Sequence, residues 1–110
     1  LMISTLLIVL SIAFYPQKGI AVCFTASEIL GWSKNAQNAL FQNSVGMIGI
    51  VAAQMKPKFA RCVDEWYFAS PTLEDQRNDQ IRAMMGKHAG FHPQAIILAL
   101  VQKACGSLKD

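Results

Sequence analysis

His92-Pro93-Gln94-Ala95-Ile96-Ile97-Leu98-Ala99-Leu100-Val101-Gln102-Lys103-Ala104-Cys105 decides the fold class. Ile96, Ile97, Leu100, Val101 and Ala104 recur at helical spacing. Proline is tolerated in a first helical turn, and His92 before it reads as the cap. Lys103 suits the negative end of the helix dipole. The spacing predicts a helix from His92-Pro93 to the Cys105-Gly106 stop.

Working back from that helix, Ser70-Pro71-Thr72 opens another, with Glu74 and Asp75 at its positive end. Leu73, Ile81, Met84 and Met85 form its inner side, and Gly86 to Gly90 ends it. Earlier still, Thr25-Ala26-Ser27-Glu28 has the form of a capping box. It predicts a first helix, with Ile29, Leu30, Trp32, Ala36, Ala39, Leu40 and Phe41 on its apolar face, ending near Asn43. A second helix is expected from Ser44 to about Met55, stopped by Pro57. Val45, Met47, Ile48, Ile50, Val51, Ala52 and Ala53 make it apolar nearly all round, the pattern of a buried helix. Gly46 and Gly49 inside it suit close approach of a neighbouring helix. Residues 56–70 read as a connection, part of it strand-like or a single helical turn. The fold class is all-α, a compact bundle of four to five helices.

The chain has 110 residues, room for one domain. It is 53% hydrophobic and 15% charged, and the apolar excess lies at the start. Met2 to Tyr15 carries no charge, and Pro16-Gln17-Lys18-Gly19 interrupts it before it reaches membrane-spanning length. Residues 1–24 are read as an export leader, although nothing basic precedes the apolar core, and residues 25–110 as the helical domain. Cleavage is expected between Ile20 and Ser27. Cys23 lies in a stretch similar to a lipoprotein processing site, but Val22 stands where a small residue is required. Cys23 is therefore read as lost with the leader or free. The membrane enters only through this leader, should it remain uncleaved.

In an exported domain of about 85 residues, two distant cysteines point to a covalent staple. Cys62 and Cys105 are assigned as a disulfide joining the central segment to the last helix. The formal net charge of +3 is mild. Lys56, Lys58 and Arg61 around Pro57 read as a solvated loop, without the dense basic stripe of a nucleic-acid binder. His88 and His92 have no partners at metal-ligand spacing. No catalytic constellation, cofactor motif or metal site is legible, and the expectation is a non-enzymatic protein. Asp64-Glu65-Trp66-Tyr67-Phe68 combines two carboxylates with three consecutive aromatics in the connecting segment. Aromatic side chains concentrate binding energy at interfaces, so Asp64, Glu65, Trp66, Tyr67 and Phe68 are the candidate partner-binding residues, with core packing of an aromatic as the alternative.

Taken in order, these features resemble a family. Leader, glycine-containing helix Gly46-Met47-Ile48-Gly49-Ile50, Cys62, Thr72-Leu73-Glu74-Asp75-Gln76, His92-Pro93 and Cys105 are similar to the Rap/Tai type of immunity protein found with type VI secretion amidase effectors. The similarity covers residues 26–106. The chain differs in lacking a second cysteine pair in the first two helices. The resemblance implies a periplasmic protein that binds a peptidoglycan-cleaving amidase and occludes its active site, as a homodimer. Two alternatives are a small periplasmic disulfide-linked structural or chaperone-like protein and an accessory protein anchored by residues 2–15. The few carboxylates argue against an acid chaperone.

Overall fold

The structure is a computed structural model that describes residues 24–109; the expected leader, save Phe24, and Cys23 lie outside the described residues. The described part is all-α, with one disulfide. Five helices follow in order: α1 (Ala26–Leu30), α2 (Lys34–Met55), α3 (Pro57–Val63), α4 (Pro71–Lys87) and α5 (Pro93–Cys105). Helix α3 runs directly into a π-helical turn, Asp64–Phe68.

Two boundaries differ from the expected ones. The first break falls at Gly31–Ser33, not at Asn43, and α2 passes unbroken through Asn43 and Ser44 to Met55. Nothing at positions 43 and 44 interrupts a backbone ladder. At the true break, Ser33 Oγ accepts from the amide of Ala36 at 3.2 Å, the usual N-cap bond. The Gln37 amide group donates to the carbonyls of Ile29 (2.9 Å), Leu30 (3.2 Å) and Trp32 (3.1 Å), so the end of α1 is satisfied by a side chain from α2. Thr25 makes no side-chain cap. The first amides of α1 are taken instead by the 88–92 loop: Ala26 N–H donates to Phe91 O at 2.8 Å and Ser27 N–H to Ala89 O at 2.9 Å.

The second difference is residues 56–70. They are helical, because Pro57 ends α2 and starts α3 in one step. The residue before a proline is driven out of the helical region. Lys56, at φ −141° and ψ 85°, becomes a one-residue joint between the two helices. Lys58 and Arg61 therefore lie exposed on a helix, not in a loop.

Helix α4 begins as expected, with Ser70 Oγ accepting from Leu73 N–H at 3.1 Å and Pro71 in its first turn. Helix α5 begins with His92 as the cap, its Nδ1 accepting from Gln94 N–H at 3.2 Å. It ends at Gly106, whose φ of +94° is a conformation open to glycine. Ile96, Ile97, Leu100 and Val101 enter the core, while Ala104 at the end of the predicted stripe stays exposed.

The core gathers Ile29 of α1, Phe41, Val45 and Ala52 of α2, Phe59 and Val63 of α3, Tyr67 of the π turn, Ile81 and Met85 of α4, and the inner face of α5. Cys62 and Cys105 are bonded, their Cα atoms 5.7 Å apart, and tie α3 to the end of α5. The burial expected for Ser44–Met55, the second half of α2, does not hold. Met47, Ile50 and Met55 are 60%, 63% and 61% exposed. The helix packs against α3 and α5 and has no described neighbour over its outer side, so those apolar residues face solvent.

Candidate functional site

The Asp64–Phe68 turn sits at the junction of α3 with α4, beside the middle of α2. A π turn widens the helix by one residue per turn, and the five side chains spread to different sides. Tyr67 points inward and is fully buried. Its hydroxyl donates to Asn78 Oδ1 of α4 at 2.6 Å, and Asn78 is itself buried. Burial pushes the Tyr67 phenol up to about 12, with the Glu74 carboxylate acting in the same direction. The Asn78 hydrogen bond acts against the rise, and the Asp75 carboxylate adds to it.

Trp66 is half-buried against α4. Its carbonyl accepts from Arg77 Nε at 2.8 Å, and the Arg77 guanidinium lies 4.9 Å from its ring centroid, a cation–π contact. Phe68 packs edge-on against Tyr67 with centroids 4.7 Å apart and remains 37% exposed. Asp64 and Glu65 face solvent, and neither forms an ion pair among the described residues.

The turn borders a shallow groove of about 390 Å³ between α2 and α3. Gly46, Gly49 and Ala53 line its α2 side, and Ala60, Asp64 and Phe68 the other. A Cβ on Gly49 would stand 3.6 Å from Val63 Cγ1, and one on Gly46 would stand 3.9 Å from Phe68 Cζ; both are ordinary contact distances, so the helices meet at a separation that alanine would also permit. Ile50 and the nearby Met47 extend the groove outward as an apolar shelf. The five candidate residues thus divide. Asp64, Glu65 and Phe68 are presented at the surface, Trp66 is shared between α4 and solvent, and Tyr67 holds the turn from beneath.

A second concavity of about 400 Å³ lies between α4 and α5, floored by Ile96 and Leu100 and rimmed by His88, Phe91 and Lys103. Phe91 is 61% exposed and packs edge-on with His88, centroids 5.3 Å apart. Among the described residues, no group of three or more His, Cys, Asp or Glu is placed to hold a metal ion. No described helix is long and apolar enough to cross a membrane.

Sequence reasoning missed the polar contacts that position these elements. Gln37, 5% exposed, accepts from Arg82 Nη1 through its Oε1 at 2.9 Å. Arg82 also reaches Asn38 and Asp79, each at 3.0 Å. The available signal was spacing: Gln37 shares a helical face with Phe41, Ser44 and Val45, and Asn78 with Ile81 and Met85. Compared with protein-family models, characterised proteins and solved structures, the chain matches none.

Proposed function

We propose that this chain is a periplasmic immunity protein that binds a peptidoglycan-cleaving amidase effector of a type VI secretion system and occludes its active site. The observation that carries the proposal is the presentation of Asp64 and Glu65, without ion-pair partners among the described residues, beside half-exposed Phe68 on a turn braced from below by Tyr67. An inhibitor must place anchoring groups in a cleft without an entropic penalty for ordering them, and a buried brace meets that need. The order of Gly46–Ile50, Cys62, His92-Pro93 and Cys105 supports the family resemblance, and the disulfide suits an oxidising compartment. In this reading the carboxylates meet a basic or amide-rich cleft and Phe68 fills an apolar subsite. The uncharged outer side of α2, with Met47, Ile50 and Val51, serves pairing with a second copy.

The test is affinity for purified peptidoglycan-cleaving amidase effectors, beginning with any small secreted hydrolase found encoded beside the chain. Asp64→Ala with Glu65→Ala, and separately Phe68→Ala, should weaken binding by about 30-fold or more, equivalent to loss of a true anchor. Their melting temperatures should stay near that of the parent. Unchanged affinity in both variants would move the interface away from this turn, and failure of these effectors to bind the parent chain would end the immunity reading.

A further inference from the structure

The end of the bundle farthest along α3 from the Asp64–Phe68 turn carries a different surface. Here α2 stops, α3 starts and the tail leaves α5. Lys56, Pro57, Lys58 and Arg61 surround one shallow depression, and Lys56 and Lys58 share a second with Cys105, Gly106 and Ser107. Lys56 Nζ donates to the Ser107 carbonyl at 2.8 Å, which draws the tail across this end. Lys109 follows two residues later and is exposed. Among the described residues, no carboxylate pairs with Lys56, Lys58 or Arg61. The acidic residues of α3's continuation start at Asp64, one turn beyond Arg61. Met55, at the tip where the chain turns through Lys56, is 61% exposed, and Val51 one turn back is 42% exposed.

We infer that this tip docks on an anionic phospholipid surface. Three cations, Lys56, Lys58 and Arg61, surround one depression immediately after exposed Met55 in the chain. That pairing fits a bilayer interface, where phosphate-bearing headgroups attract Lys and Arg while Met55 reaches the acyl boundary beneath. Long basic side chains suit the geometry because their stems lie along apolar surface while their heads stay wet. A soluble acidic partner would satisfy the cations but leave Met55 uncovered. The surface is separate from the proposed effector-binding turn, so either inference stands or fails alone.

The test is sedimentation of the full chain with vesicles of phosphatidylcholine alone or mixed with phosphatidylglycerol. Any partitioning by the apolar stretch Met2–Tyr15 is common to both vesicles and cancels in the ratio of affinities. The ratio should favour the anionic vesicles and fall as salt is raised. Lys58→Glu with Arg61→Glu should lower it by about tenfold or more. Lys34→Glu with Lys87→Glu, which changes net charge equally at distant sites, should leave it nearly unchanged. Met55→Ser should weaken binding to anionic vesicles while circular dichroism stays that of the parent. Equal loss in the two charge-reversed pairs, or no anionic preference in the parent, would overturn the inference. So would a soluble poly-glutamate that displaces the chain from vesicles with no sensitivity to Met55→Ser, which would assign the patch to an acidic macromolecule.

Discussion

Tyr67→Phe separates the two roles an aromatic at this turn can have. The substitution keeps the ring and removes only the hydroxyl that donates to Asn78 Oδ1 at 2.6 Å. Asn78 is 3% exposed, so its carbonyl is left without that donor and water does not readily replace it. Leaving a buried acceptor unpaired costs about 1–3 kcal/mol. A small domain loses about 1 kcal/mol or somewhat more per molar urea, so the unfolding midpoint should fall by roughly 1 M or more. Tyr67→Ala removes the ring as well and should cost about 3–5 kcal/mol, a large share of a stability of about 5–15 kcal/mol. Replacing both partners, Tyr67→Phe with Asn78→Leu, should recover most of the loss, because no orphaned polar atom remains. Equilibrium urea unfolding followed by circular dichroism reads all three. If Tyr67→Phe unfolded at the parent midpoint while effector binding was lost, the phenol would be an interface group and the bracing argument would fail.

Three further outcomes follow from the same geometry. The Tyr67 phenol is raised from 10.0 to about 12, so the folded state holds its proton where the unfolded chain has lost it. Stability from this group is full below about pH 10 and declines as pH rises toward about 12; an alkaline titration of the tyrosinate band should show a late component absent in Tyr67→Phe. Cys62 and Cys105 are 43 residues apart, and opening that loop in Cys62→Ala with Cys105→Ala should cost about 4 kcal/mol by chain entropy, read as a lowered melting temperature. At Gly49, a Cβ would make ordinary contact with Val63 at 3.6 Å, so Gly49→Ala should match or exceed the parent stability by up to about 1 kcal/mol from helix propensity. Gly49→Leu should lose about 1–3 kcal/mol by overpacking, and a raised melting temperature for it would show that the helices do not meet there.

Local chemistry was enough to read several elements. Pro71 and Pro93 in first turns, Ser70 and His92 as caps, and Gly106 as a stop act within a few residues, so α4 and α5 were legible. The Cys62–Cys105 pairing was legible because two cysteines of the domain had only each other once Cys23 was set aside. The first break was missed because Gln37, eight residues beyond Ile29, satisfies the carbonyls at the end of α1. A capping interaction at that distance leaves no short-range motif.

The candidate site shows the same division. The sequence alone marks Asp64–Phe68 as a cluster of charge and aromatic area, and it marks Ser44–Met55 as apolar nearly all round. Only the tertiary structure decided that Tyr67 turns inward to Asn78 while Phe68 stays at the surface, and that Met47, Ile50 and Met55 are left uncovered. The physical reason is that periodicity selects a buried face only when the other face is polar. Where apolar residues encircle a helix, or aromatics stand consecutively on a widened turn, the side that becomes core is set by which neighbours pack there.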